Sequence, residues 1–219
     1  MRRSSTVTMT SFSTSQPDYG VGNLFSLRSS LEAIGADVTV TADVETIKKA
    51  DQIILPGVGA FEDAARKLRE SGLDIIIKEE CAAGKPLMGI CLGMQMLFEK
   101  SYEYGEHDGL GLIKGSVRPI SEVIPEDLKI PHIGWNGLCF GGKESPLFKY
   151  IKDGDYVYFV HSYSARDCED SVIATSEYGA ALTAAVADKN VFGCQFHPEK
   201  SGDVGLSILR AFVEMEAQK

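Results

Sequence analysis

Two short segments far apart in the chain carry residue types that can do nucleophilic chemistry. In residues 86–100, PLMGICLGMQMLFEK, a hydrophobic run enters Gly89, Ile90, Cys91, Leu92 and Gly93 and continues into a helical pattern. Gly-x-nucleophile-x-Gly is the pattern of a nucleophile elbow: the chain turns so sharply from strand to helix that small residues are needed on both sides, and the nucleophile projects from the top of a sheet. Here the nucleophile is sulfur. A thiol at the start of a helix sits beside unpaired N–H groups and the positive end of the helix dipole, which favours the thiolate. A lone cysteine is ordinarily an inert buried residue; the paired glycines set Cys91 apart from Cys81, Cys139, Cys168 and Cys194, which keep that structural reading. A thiolate nucleophile needs a base and a group to orient it. Residues 195–202, QFHPEKSG, supply both. Residues two apart in an extended segment face the same side, so Glu199 can accept from one ring nitrogen of His197 while the other faces the thiol.

The reaction also needs donors for a developing oxyanion. Residues 54–64, ILPGVGAFEDA, end a strand in a glycine-rich turn and open a helix; glycine lets backbone N–H groups turn inward there, and the N–H of Leu92, next to the nucleophile, is a second candidate donor. The turn lacks the Lys and Ser/Thr of a phosphate-binding loop.

The elements that must hold these segments are legible as alternating strands and helices. Leu24, Leu27, Leu31 and Ile34 recur at helical spacing before a Gly35 suited to a left-handed cap. Strand patterns follow at residues 38–41, 52–55 and 86–90, with helical stretches at 60–69 and 73–83 between them, which implies an open, mostly parallel sheet flanked by helices. After Gly109 strand-like pieces dominate, at 116–120, 156–160, 172–175, 182–186 and 191–196, and predict an additional antiparallel β portion. A helix with Val204, Ile208, Leu209, Phe212 and Met215 on one face follows them.

Composition excludes several function classes. With 44% hydrophobic and 24% charged residues over 219 positions, the chain has the profile of one soluble globular domain. A net charge of −9, spread rather than clustered, argues against nucleic acid or an anionic membrane as partner. The five cysteines form no CxxC pair, so a reduced, cytoplasmic protein is expected, with no zinc or other metal and no cofactor. Residues 1–17 are rich in Ser and Thr with no acid, and read as an N-terminal extension, disordered or non-native, or as a transit peptide, outside a domain spanning 18–219.

In the order PGVGAF, GICLGMQ, QFHPEKSG, the three elements resemble the class I glutamine amidotransferase family, with its flavodoxin-like fold and Cys, His, Glu triad. The motifs DYGVGNLFS, LPGVGAF, IPHIGWN, YVYFVHSY and HPEKSG narrow the likeness to the glutaminase subunits of imidazole glycerol phosphate synthases. The resemblance implies Cys91 as nucleophile forming a glutamyl thioester, His197 as base then acid, and Glu199 as the orienting carboxylate. It implies Val58 and Gly59 as the oxyanion strand, and Gln95, Ser162 and Tyr163 as glutamine-binding residues. Asn23, Trp135, Asn136 and Lys200 match the interface with a (β/α)₈-barrel cyclase, which would form a heterodimer with the glutaminase and receive its ammonia in histidine biosynthesis. Other amidotransferase subunits, serving pyridoxal phosphate, anthranilate or guanylate synthesis, and a stand-alone γ-glutamyl hydrolase are the alternatives.

One departure stands out: where the family runs an apolar strand into the DYG turn, this chain has Thr14, Ser15, Gln16 and Pro17. Proline removes a ladder donor, so either residues 6–12 substitute poorly for the first strand or the sheet lacks it, and weak amide protection is expected over residues 6–17.

Overall fold

Short aliphatic and β-branched runs alternate with helical runs through the first half of the chain, and each becomes the element its pattern favours. The computed structural model describes residues 6–9 and 20–216. In chain order the elements are β1 (Thr6–Met9), α1 (Gly20–Ala33), β2 (Asp37–Val40), α2 (Val44–Lys49), β3 (Gln52–Gly57), α3 (Phe61–Glu70), α4 (Leu73–Ala82), β4 (Leu87–Cys91) and α5 (Leu92–Gln95). Then follow β5 (Phe98–Ser101), β6 (His107–Asp108), β7 (Ile113–Pro119), β8 (His132–Gly137), β9 (Tyr156–His161) and β10 (Tyr163–Arg166), and finally β11 (Val172–Glu177), β12 (Ala181–Asp188), β13 (Val191–Cys194) and α6 (Gly202–Val213).

The main sheet has seven strands in the order β11-β12-β13-β4-β3-β1-β2. The run from β2 to β13 is parallel, while β12 and β11 add antiparallel. A four-stranded sheet, β10-β7-β5-β6, and the β8-β9 hairpin make up the rest. Side chains alternate across a strand, which divides the core in two. Val7, Met9, Ile54, Met88, Ile90 and Phe192 face α1 and α6, where Leu27, Leu31, Ile208 and Phe212 cover them. Ile53, Leu55 and Leu87 face the opposite side, under Phe61, Leu68 and Ile77 of α3 and α4. This is the mostly parallel, helix-flanked sheet with an antiparallel portion that the sequence pattern predicts.

Two expectations are corrected. Thr6–Met9 does not stand outside the domain: β1 lies inside the sheet, pairing in parallel with β2 (Val7 opposite Val38) and β3 (Val7 opposite Gln52), and Val7 and Met9 are fully buried. TVTM carries β-branched residues with Val7 and Met9 two apart on one face, and contains no proline. The remaining positions of that segment, including Thr14 to Pro17, lie outside the described residues. Secondly, the helical pattern after Cys91 yields only the four-residue α5, because Phe98–Ser101 pairs with β7 and β6 instead. The helix-dipole contribution at Cys91 is correspondingly local, limited to the N–H groups of one turn.

Since Met9 is wholly enclosed between α1 and the sheet, Met9→Ala is expected to cost roughly 2–5 kcal/mol. A urea midpoint that falls with an unchanged slope would show it. Amides of residues 7–9 are also expected to exchange slowly, and rapid exchange there would contradict the pairing.

Candidate active site

The site forms at the carboxyl edge of the parallel strands, the usual crevice of an open α/β sheet. β3 pairs with β4 as far as Gly57 opposite Cys91, and β13 flanks β4 on the other side with Cys194 opposite Ile90. The nucleophile, the glycine turn and the His197 segment therefore leave neighbouring strands at one edge.

Three glycines make the turn possible. A Cβ at Gly93 would sit 1.7 Å from the Leu55 carbonyl oxygen, at Gly89 2.5 Å from the Gly93 oxygen, and at Gly57 2.9 Å from the Gly93 nitrogen. The start of α5 is thus seated directly on the backbone of β3, with no room for a side chain. Cys91, wedged between, takes φ +53° and ψ −112°, a conformation that non-glycine residues rarely adopt and that surrounding structure must enforce.

His197 is almost completely buried, its Nδ1 2.8 Å from Glu199 Oε1. A carboxylate only accepts, so Nδ1 carries the proton, and the other ring nitrogen is left for the Cys91 sulfur, which is near enough to act electrostatically on the ring. β9 fixes the backbone here: the His197 amide donates to the Tyr158 carbonyl (2.9 Å), and the Ser201 hydroxyl donates to the His197 carbonyl (2.7 Å) while accepting from the Tyr158 amide (3.0 Å). Burial opposes a charge on the ring, but the Cys91 sulfur and the Glu199 carboxylate together outweigh it and push His197 up to about 10. Because this lies above the ordinary 6.5, protonated His197 contributes stability that is fully present below pH 6.5 and is lost as the pH rises through about 10. The remaining Glu199 oxygen is buried without a hydrogen-bond partner among the described residues. By contrast, burial pushes the Cys81 thiol up to about 12 and the Cys168 thiol to about 11, and raises Cys194 as well. These three stay neutral and inert.

A cleft of about 550 Å³ opens over Cys91 and His197. Of the residues singled out in the sequence, Val58, Gly59, Leu92, Gln95, Ser162 and Tyr163 all line it. Gly59 holds φ +100°, which frees the peptide before it to turn in ways that a Cβ would resist. Gln95 Nε2 donates to the Tyr163 carbonyl (3.2 Å) and to Gln195 Oε1 (3.1 Å), so both amide hydrogens are committed within the protein and Oε1 is left to accept from a bound molecule. Gln195 Nε2 in turn lies 3.9 Å from Cys91 Sγ. A second cavity of equal volume, bounded by Cys139, Arg166 and Thr183, shares no lining residue with this one and holds neither His197 nor Cys91.

The expected interface residues are more scattered. Trp135 is half exposed and Lys200 exposed, Asn23 falls in α1, and the Asn136 side chain turns inward to His132 and the Glu177 carbonyl. Sequence reasoning missed Glu103, His161 and Gln195. Glu103 lines the cleft, its carboxylate accepting from the Phe61 amide at the start of α3 (2.6 Å), and burial raises its proton affinity despite that bond. Nothing local in the sequence marks Glu103; the position of Gln195 two residues before His197 and of His161 next to Ser162 and Tyr163 is the available signal.

The description "Glutamine amidotransferase class-I" belongs to the family model that matches residues 16–215. Imidazole glycerol phosphate synthase subunit HisH of Caldanaerobacter subterraneus is 51% identical over 199 residues, 90% of this chain and 96% of that protein. The subunits of the same name from Lactococcus lactis (50% over 198 residues, 90% and 96% covered) and Aquifex aeolicus (49% over 197 residues, 89% and 93% covered) are similarly close. Among solved structures, PurLQS from Thermotoga maritima superposes with a TM-score of 0.72 at 21% identity, covering 96% of this chain and 98% of that one. A glutamine amidotransferase from the same organism gives 0.65 at 15%, covering 98% and 100%. At such identities these two speak for the fold alone.

Two substitutions test the geometry. Glu199→Gln removes one of the groups that hold the His197 proton, and is expected to lower the ring's titration midpoint, followed by histidine NMR, and to reduce kcat by ~10² to 10⁴. An unchanged midpoint would contradict the assigned pair. Gly93→Ala drives a Cβ into the Leu55 carbonyl and is expected to abolish Cys91 alkylation and lower the melting temperature together.

Proposed function

The chain belongs to the class I glutamine amidotransferase family and groups there with the subunits of imidazole glycerol phosphate synthase, and on that premise we propose that it hydrolyses glutamine and passes the ammonia to a cyclase partner in histidine biosynthesis. The observation that carries the reading is the constellation of Cys91, His197 and Glu199 at the mouth of a cleft sized for an amino acid.

Glutamine enters with its ammonium toward Gln95 Oε1 and the Glu103 carboxylate, and its side-chain amide over Cys91. The Cys91 sulfur attacks the amide carbon, and the oxygen's negative charge is met by the Leu92 N–H and by the peptide at Val58 and Gly59. His197, holding the proton next to sulfur, delivers it to the departing nitrogen; the C–N bond breaks, ammonia leaves and a glutamyl thioester remains. His197 then takes a proton from water as the water oxygen attacks the thioester. The C–S bond breaks, glutamate leaves and the thiolate–imidazolium pair is restored, so that glutamine and water give glutamate and ammonia.

A docking face for the partner adjoins the cleft. Ile133 and Trp135 on β8 and Tyr156 on β9 are more than half exposed, with Trp135 packed edge-on against Tyr158 at 6.0 Å. Exposed Ile130 and partly exposed Val160 continue this face to the cleft lip. Contiguous exposed aromatic and aliphatic side chains mark interaction surfaces. The partner that fits the reading is a (β/α)₈-barrel cyclase, docked as a heterodimer over Trp135 and Lys200 so that ammonia leaves the cleft without meeting bulk water. Docking there can also set the Val58–Gly59 peptide, and one oxyanion donor is worth ~10² to 10³ in rate.

Glutamate release should therefore be slow for the free chain and rise by about 10²-fold or more with a cyclase subunit and its ribonucleotide, and Cys91→Ala should abolish it in both conditions. Equal rates with and without the partner would end the coupling. Turnover surviving in Cys91→Ala would end the assigned chemistry.

A further inference from the structure

Two buried histidines face each other across the β8-β9 hairpin, His161 in the cleft wall and His132 behind it. His132 and His161 are directly opposed, 1% and 6% exposed, with His132 Nδ1 3.1 Å from His161 Nε2. The His132 ring is stacked on Phe159 and on Tyr178, with centroids at 5.0 and 4.0 Å. Its Nε2 lies 2.9 Å from Asn136 Oδ1, while Asn136 Nδ2 donates to the Glu177 carbonyl at 2.9 Å. At the far end His161 Nδ1 lies 2.8 Å from the Tyr163 carbonyl oxygen, the same oxygen that accepts from Gln95.

The chemistry of the two ends fixes the middle. A carbonyl only accepts, so His161 Nδ1 must carry a hydrogen. The Glu177 carbonyl likewise holds the Asn136 amide with Oδ1 toward His132, so His132 Nε2 must carry one too. The N···N contact between the rings needs a third. Two neutral imidazoles bring only two hydrogens, both committed to the outer ends, so the contact between the rings gains its hydrogen only when one proton is added, and that proton is shared by the two facing nitrogens and belongs to the pair.

We propose that His132 and His161 act as one proton-sharing pair that positions Gln95 for glutamine binding, through the Tyr163 carbonyl that both His161 and Gln95 hold. The inference rests on the cleft being the glutamine site. His132 does not line that cleft and touches no substrate; it is a positioning residue, linking the exposed hairpin that carries Trp135 to the side chain that receives the substrate's ammonium. The groups surrounding His132 are Phe159, Tyr178, Asn136 and the Glu177 carbonyl, all uncharged. On the other side, His197 repels a proton added to His161. Burial, with that repulsion, holds His161 down to about 4 and also lowers His132, so the third hydrogen is taken up only on the acid side of 6.5.

Two measurements on the full chain with its cyclase subunit test the pair. His132→Phe keeps the stacked ring but removes both ring nitrogens. Without His132, nothing fixes the facing side of the His161 ring, the Tyr163 carbonyl that also holds Gln95 is less firmly set, and the KM for glutamine is expected to rise about fivefold with kcat within about twofold. A folded His132→Phe protein with wild-type KM would overturn the proposal. If that variant does not fold, ¹⁵N NMR of histidine-labelled wild-type protein decides: His161 should be the Nδ1–H tautomer at neutral pH, and on acidification both rings should shift with one common midpoint. A bare His161 Nδ1, or two independent midpoints, would overturn it. Failure of wild-type protein to release glutamate at all would instead count against the glutaminase reading, which the tautomer measurement does not depend on.

Discussion

The contact on which the rest of the site depends is between two stretches of backbone. Gly93 rests against the Leu55 carbonyl with no space for even a methyl group, and this allows the chain leaving β4 to fold straight back over β3. Everything chemical is referred to that contact. It sets the unusual backbone angles of Cys91, brings the Leu92 amide to the nucleophile, and places the Gly59 turn within the same cleft. A strained residue persists only where its surroundings over-determine it, and here they do so with main chain, which cannot relax by changing rotamer.

Electrostatics then completes what geometry begins. His197 is buried deeply enough that an isolated imidazolium would be disfavoured, yet it is held protonated because sulfur and carboxylate flank it. The same burial that keeps Cys81, Cys168 and Cys194 neutral strengthens this pair, since charges interact more strongly where water is excluded. One physical condition, low local polarity, therefore keeps three thiols neutral and tightens the hold of sulfur and carboxylate on the His197 proton.

The parts of the site legible in the sequence are those whose physics is local. The elbow announces itself because the turn demands glycines at fixed offsets from Cys91; His197 and Glu199 stand out as a Pro-spaced pair, although the chain there does not run extended as expected but closes a 3-10 turn at Pro198–Lys200, which still brings Nδ1 to Oε1. The sheet is legible for the same reason, from short, nearly continuous apolar runs at β3 and β4 separated by helical stretches. What escaped notice depends on distant neighbours. Glu103 matters because it meets the start of α3, and His132 because Asn136, His161 and the Glu177 carbonyl surround it. The first strand was misread because proline and a serine-rich composition outweighed four residues, TVTM, whose burial only the finished sheet reveals. The helix expected after Cys91 stopped after one turn because strand pairing with β7 overrode local propensity.

The pairing of β4 with β13 has a bearing on synthesis. Gln195, which follows β13, and Cys91 are 104 positions apart, and a ribosome delivers Cys91 first. While the chain grows, Cys91 is present without His197, in an elbow whose flanking strand on one side has yet to arrive. Since β4 cannot acquire its second neighbour until β13 emerges, the meeting of Cys91 with His197 is a late folding event rather than one that accumulates along the way. A nascent chain in that way carries Cys91 apart from His197 until the cleft that holds them together exists.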